Sequence, residues 1–143
     1  LLKDYILNFK SMRTSQLFPV MDAKASTGIG NPVKCEDYQY KQFSLATDGG
    51  GTANFTIKFQ GSISEDSPTF SSAQSVTNHW DYIDAIDLQD GSSIDGDTGV
   101  SVATSDDYRL FEINNKGLKW VCARITSYSA GSVTVNLRVF NNV

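Results

Sequence analysis

Three segments of this chain alternate apolar and polar residues with a period of two, and this alternation restricts the possible folds more than any other feature. NFTIKFQ begins at Asn54, and KWVCARIT and SVTVNLRVF follow near the C-terminal end. Successive side chains of a β-strand point to opposite faces, so one face of each segment is expected to be buried. The residues predicted to share one core are Phe55, Ile57, Phe59, Val121, Ala123, Ile125, Val133, Val135, Leu137 and Val139.

The rest of the chain also favours strands. Short runs of β-branched and aromatic residues recur between Gly, Asn, Asp and Ser turn formers, which predicts about eight strands. Pro19 suggests that the run QLFPVMDA is an edge strand, because proline cannot donate to a sheet ladder. The crossover helices of a parallel fold are missing. We therefore predict an all-β fold, an antiparallel β-sandwich that is jelly-roll-like.

Two connections are of special interest. The polar stretch SEDSPTFSSAQSVT is long for a simple connection and is predicted to be a crossover or a functional loop. The run HWDYIDAIDLQDG that follows is predicted to form one strand. The last two alternating segments, joined by a short Ser/Gly turn, are predicted to pair as a hairpin.

The first ten residues, LLKDYILNFK, have a helical rather than an alternating pattern, with Leu1, Leu2, Tyr5, Ile6 and Phe9 on one stripe. A helix this short is marginal alone in water, so it needs a surface to lie against. It either folds onto its own domain or docks on a neighbouring subunit. We predict an N-terminal arm or short helix over residues 1–12 and a single β-sandwich domain over residues 13–143, with Leu2, Tyr5, Ile6 and Phe9 as partner-binding candidates.

Composition argues against several classes of function. The chain has 143 residues and a net charge of −4, whereas nucleic-acid binders usually carry a basic excess. No apolar run is long enough to span a membrane. Cys35 and Cys122 lie far apart and do not form a zinc motif. Two such cysteines are more often reduced, buried thiols than a disulfide, although a bridge stays open.

No catalytic motif emerges from the polar residues. The cluster DLQDGSSIDGDTG, with Asp87 and Asp97 near its ends, contains carboxylates that could bind calcium, but it lacks the offsets and closing Glu of an EF-hand. Tight turns are the favoured interpretation. The single histidine, His79, has no recognisable nucleophile motif beside it. We expect no catalytic residues, no metal and no cofactor, and therefore no enzyme.

The outward face of the predicted hairpin carries unusual residues. Trp120 and Arg124 share one parity with Cys122, and Arg138 is expected to lie beside them on the second strand. Trp and Arg are enriched at interface hot spots. We predict that Trp120, Arg124 and Arg138 bind a partner, so that another subunit or the N-terminal segment covers this face. Alternatively, Trp120 lies half-buried at the sandwich rim under a loop.

Three stretches from residue 79 onwards have a residue pattern that is similar to that of a known class of protein. They are HWDYIDAIDLQDGSSIDGDTGVSV, YRLFEINNKGLKWVCARIT and SYSAGSVTVNLRVFNN. This part of the chain, from about Trp80 to Asn142, resembles small structural proteins of tailed bacteriophages, such as capsid decoration, head-fibre or tail proteins. The resemblance implies a non-catalytic β-sandwich, often oligomeric, that contacts other virion proteins on a particle assembled in the host cytoplasm. It transfers no site residues.

A different class of function fits the same fold class. Carbohydrate-binding modules and receptor-binding domains are also β-sandwiches, and glycan binding would need aromatic rings on one exposed face. The candidates are Tyr38, Tyr40, Trp80 and Tyr82. A glycan partner is expected only under this alternative.

Overall fold

The computed structural model describes residues 15–48, 52–103, 107–113 and 117–141, and these ranges contain strands and turns only. The N-terminal arm predicted over residues 1–12 lies outside them. No helix in these ranges is long and apolar enough to cross a membrane. The twelve strands are β1 (Ser15–Lys24), β2 (Gly28–Ile29), β3 (Val33–Lys34), β4 (Tyr40–Asp48), β5 (Asn54–Ser62), β6 (Asp81–Tyr82), β7 (Ala85–Asp87), β8 (Ser93–Ile94), β9 (Val100–Val102), β10 (Tyr108–Ile113), β11 (Trp120–Ala130) and β12 (Ser132–Phe140).

The strands form two antiparallel sheets packed face to face, which confirms the predicted β-sandwich. Sheet A has the order β1-β12-β4-β10-β7-β8. Sheet B has the order β2-β11-β5-β6, with β3 paired to β11 and β9 paired to β5. Strand β1 pairs only with β12, so Pro19 lies on an edge strand as predicted. About eight strands were expected; the excess consists largely of two-residue strands, which are too short to show an alternation.

The core lies between the two sheets and contains every residue predicted for it. Those ten side chains are at most 2% exposed. Aromatic rings fill the centre, where the ring of Phe59 stacks on Phe43 with centroids 4.7 Å apart and lies 5.7 Å from Phe111. The alternation therefore identifies which side of each strand is buried. It ends where β5 ends, and Ile63, which continues the same parity, is 72% exposed.

The predicted C-terminal hairpin is wrong, because β11 and β12 belong to different sheets. Strand β11 pairs with β5 in sheet B, whereas β12 pairs with β1 and β4 in sheet A. The chain crosses between the sheets at Gly131, whose φ of +86° lies in the left-handed region. A Cβ at this position would lie 2.8 Å from the Cβ of Ala53. The crossing therefore requires glycine.

This crossing separates residues that were predicted to share one face. Trp120 and Arg124 lie on the outer side of sheet B, whereas Arg138 lies on the outer side of sheet A. The prediction that these residues share one face was wrong because the alternation shows only that both strands turn apolar side chains toward the core. Two strands can do this from the same sheet or from opposite sheets. The three residues cannot form a single patch.

The segment predicted as one strand after His79 is also divided between the sheets. Strand β6 pairs with β5 in sheet B, and β7 pairs with β10 in sheet A. Asp84 lies between them, and its Oδ1 atom accepts a hydrogen bond of 2.8 Å from the backbone N–H of Gly96. A side-chain acceptor thus holds the chain where it leaves one sheet for the other.

Truncating the central aromatic ring tests the core. We expect Phe59→Ala to lower the free energy of unfolding by about 3–5 kcal/mol, since it removes a buried ring of sheet B that contacts two rings of sheet A. Urea denaturation followed by circular dichroism measures the change. Val76→Ala is the control, because Val76 is 90% exposed and its truncation should change the stability by no more than about 0.5 kcal/mol. A loss below about 1 kcal/mol for Phe59→Ala would contradict this core.

Candidate binding faces

The outer face of sheet B is covered by the chain itself. Residues 63–80, which we call the covering loop, leave the end of β5 and cross this face before β6 begins. Phe70 and Trp80 of the loop are 1% and 5% exposed and form a second apolar cluster with Cys122. Cys122 points away from the main core, yet it is inaccessible to solvent because the loop lies over it.

Three outward-pointing side chains of sheet B fasten the covering loop. Trp120 Nε1 donates a hydrogen bond of 3.0 Å to the carbonyl oxygen of Ser64, and Gln60 Nε2 donates one of 3.0 Å to that of Phe70. Arg124 Nη1 donates one of 3.2 Å to the carbonyl oxygen of Ser72. Trp120 is therefore half-buried under a loop, as the alternative interpretation expected. Partner binding by Trp120 and Arg124 stays a prediction.

The two cysteines are free thiols and both are buried. Burial raises the pKa of the Cys35 thiol to about 11, and burial raises that of the Cys122 thiol to about 12. Protonated thiols are poor nucleophiles and poor metal ligands. These two residues thus act as small apolar side chains in their respective clusters.

The outer face of sheet A, which we call the open face, has no loop of the described residues over it. In its middle row, Leu17 of β1 lies opposite Arg138 of β12, which lies opposite Gln42 of β4. In the next row, Asn136 lies opposite Ser44, which lies opposite Leu110. These side chains and Tyr108 line a small groove of about 130 Å³. The groove has a polar centre and apolar margins.

Exposed apolar side chains concentrate at this face. Of the six large hydrophobic residues that are exposed in the described part of the chain, Leu17, Tyr108 and Leu110 line the groove, and Leu88 follows β7 beside β10. Leu17 and Tyr108 are 63% and 65% exposed. Single exposed apolar residues are ordinary, but a cluster marks a binding surface.

Arg138 belongs to the open face. It is exposed, and its guanidinium carbon lies 4.4 Å from the ring centroid of Phe140, which in turn stacks on Tyr40 at 4.9 Å. Sequence analysis identified Arg138 as a candidate but missed Leu17, Tyr108 and Leu110. The signal for the last two was present in DYRLFEI, where Tyr108 and Leu110 share the parity opposite to the buried Phe111.

The aromatic residues proposed for sugar stacking do not form one platform. Trp80 is 5% exposed and Tyr82 lies edge-on against it at 4.9 Å, under the Nζ atom of Lys58. Tyr40 lies on the other sheet, and Tyr38 packs against the main core. Substitution of Trp80 would therefore test the anchoring of the covering loop rather than sugar binding.

The acidic stretch over residues 87–97 forms turns. Backbone N–H groups donate to the side chains of Asp87, Asp90 and Asp95, each at 2.9 Å. Asp87 is also paired with Arg109 at 2.5 Å. Within the described ranges, no three His, Cys, Asp or Glu side chains are grouped closely enough to hold a metal ion. His79, the next-to-last residue of the covering loop, has a φ of +59°, and its side chain is exposed.

Comparison with solved structures finds proteins of the same fold. One is SPBc2 prophage-derived protein YomS, which is 17% identical, with a TM-score of 0.57 over 87% of this chain and 91% of YomS. Another is PBSX exported protein XepA, which is 14% identical, with a TM-score of 0.61 over 90% of this chain. The match spans 39% of XepA, so this chain corresponds to only part of that protein. Comparison with family models and with curated sequences finds no match.

Thiol reactivity tests the covering loop. At about pH 8 we expect neither cysteine to react with Ellman's reagent in the native protein and both to react in concentrated guanidinium chloride, because burial keeps both thiols protonated. Phe70→Ala should loosen the loop and make Cys122 reactive while Cys35 stays protected. Mass spectrometry of labelled peptides distinguishes the two sites. Rapid labelling of Cys122 in the unmodified protein would mean that the loop does not cover it.

The same thiols predict how stability depends on pH. In the unfolded chain both groups ionise near their ordinary pKa of 9.0, whereas in the folded chain they remain protonated to about pH 11 and 12. Their contribution to stability is therefore complete below about pH 9 and is lost as the pH rises through that window. Urea denaturation between about pH 8 and 11 measures the loss, which Cys122→Ala should reduce.

Proposed function

We propose that this protein is a non-catalytic, phage-encoded assembly component that acts through protein–protein contacts at the open face. The observation that carries the proposal is the concentration of exposed apolar side chains there, while the other sheet is covered by its own loop. The likeness of the fold to a prophage-derived protein supports the phage association. So does the resemblance to phage structural proteins in the sequence from Trp80 onwards.

The composition of the open face suits a partner protein. Its polar centre holds Gln42, Ser44 and Asn136, which can hydrogen-bond to another chain, and Arg138 supplies a charge. Leu17, Leu110 and Tyr108 supply apolar contact area at the margins. A mixture of aromatic, aliphatic and Arg side chains around polar groups is the composition of a protein–protein interface.

The N-terminal arm is the occupant that we propose for this face, contributed by a neighbouring copy. Residues 1–12 precede β1, which forms the edge of the open face. The predicted helix would be about 18 Å long. Strands β1 and β10 are separated by three strand spacings, about 14 Å, so the arm could contact both apolar margins. Exchange of arms would produce a homo-oligomer, which could decorate a particle as a virion component.

Substitutions on the open face test this role. Leu17→Ser combined with Tyr108→Ser should lower the oligomer mass measured by light scattering and reduce co-sedimentation with phage particles, without lowering the melting temperature. Val76→Ser is the control, since it removes an exposed apolar side chain from the covering loop instead of the open face. Unchanged mass and unchanged particle association in the double variant would refute the proposal.

Deleting residues 1–10 tests the arm separately. The truncated chain should remain folded and lose the same assembly that the open-face variant loses, and combining both changes should add nothing further. Light scattering and thermal melting measure both properties. If the truncated chain unfolds, the apolar stripe belongs to the core of its own domain. If it assembles normally, the arm is not the occupant of the open face.

A further inference from the structure

A groove on the opposite side of the molecule gathers positive charge in a protein that is acidic overall. The groove, of about 500 Å³, runs over the outer side of sheet B between β2 and the covering loop. Its lining includes Thr27, Gly28, Gln74, Tyr82, Arg124 and Thr126. Since the chain has a net charge of −4, a cluster of cations would not be expected from its overall composition.

Three cationic side chains from three different strands border this groove. Arg124 of β11 lines it directly. Lys58 of β5 lies directly opposite Arg124 in the ladder, and its Nζ atom lies 4.8 Å from the ring centroid of Tyr82. Lys24 closes the end beside Gly28, where its Nζ atom lies 3.5 Å from the position that a Cβ would occupy.

None of these cations forms an ion pair with a carboxylate in the described residues. The ion pairs there join Lys34 and Lys119 to Glu36, Lys119 to Glu65, and Arg109 to Asp87. Asp81 stands beside the groove and accepts a hydrogen bond from Gln74 rather than from one of these cations. Because the described residues hold no ion pair of Lys24, Lys58 or Arg124, the charges of these side chains are available to a ligand.

The neutral groups of the groove specify what kind of anion fits. The hydroxyls of Thr27 and Thr126 and the amide of Gln74 offer both donors and acceptors, which match the hydroxyl groups of a sugar. Tyr82 adds an aromatic ring whose hydroxyl can hydrogen-bond as well. The groove is open along its length, and its volume suits a few linked sugar units rather than a single ion.

We propose that this groove binds an anionic glycan, a sugar or polyol polymer that carries carboxylate or phosphate groups. The cations contact the charged groups and the hydroxyls and amide contact the sugar hydroxyls. Because the protein as a whole repels polyanions, binding depends on this local cluster and weakens as salt screens it. Glycan binding at the groove does not depend on protein binding at the open face, which lies on the other sheet. An experiment can therefore refute one of the two proposals without refuting the other.

Binding of defined polymers to the full chain tests the proposal. Polygalacturonate and phosphorylated dextran are the anionic probes, neutral dextran is the uncharged control and poly-L-glutamate is the peptide control, each measured by calorimetry at low and high salt. We expect at least one anionic glycan to bind at low salt and neither control to match it. Failure of both glycans, or equal binding of poly-L-glutamate, overturns the proposal.

Variants locate the site. Lys24→Gln and Lys58→Gln should each weaken glycan binding about fivefold, the loss expected for one exposed charge contact, and should reduce its salt dependence. Lys34→Gln is the matched control, because it removes one exposed cation away from the groove. Arg124→Gln would also remove a hydrogen bond to the covering loop, so the two lysine variants are the ones that test whether the groove is the site. Binding that falls equally in Lys34→Gln would mean that the groove is not the site.

Discussion

The crossing of the chain at Gly131 is the constraint on which the rest of this structure depends. It connects β11, an inner strand of sheet B, to β12, an inner strand of sheet A. The crossing is held locally by the hydroxyl of Tyr128, which donates a hydrogen bond of 2.7 Å to the carbonyl oxygen of Gly131. Because both strands bury one side in the same core, the crossing at Gly131 links the two sheets covalently.

From that arrangement the two outer faces acquire different roles. On the outer side of β11, the covering loop buries Cys122 and accepts hydrogen bonds from the side chains of Trp120 and Arg124. The outer side of β12 carries Asn136 and Arg138, which stay open between two strands with exposed leucines. The sandwich therefore has one face covered by its own chain and one face exposed, while the groove lies where the covering loop and β2 leave sheet B accessible.

Sequence alone predicted the burial pattern well and the pairing poorly. Alternation identifies the inward side of a strand, because burial depends on parity alone, and all the predicted core residues are buried. It does not identify the sheet, because Val135 would face the same core from either one. The alternation also gives a wrong prediction where a polar residue is buried. Lys41 takes a core-facing position in β4 and is inaccessible to solvent, and this burial lowers the pKa of its ammonium group. Similarly, Cys122 is buried by a segment 42–59 residues away in sequence, which no local pattern can indicate.

The position of β12 also determines when the fold can form. Strand β12 is the last of the twelve strands, yet it lies between β1 and β4, and its partner residues in β1 are more than a hundred positions earlier in the chain. During synthesis, the edges of β1 and β4 that pair with β12 stay unpaired until β12 leaves the ribosome, since β1 and β4 do not pair with each other. Contacts of such long sequence separation slow folding and expose nascent chains to aggregation. For this architecture, completion of sheet A is therefore an event that follows translation of β12.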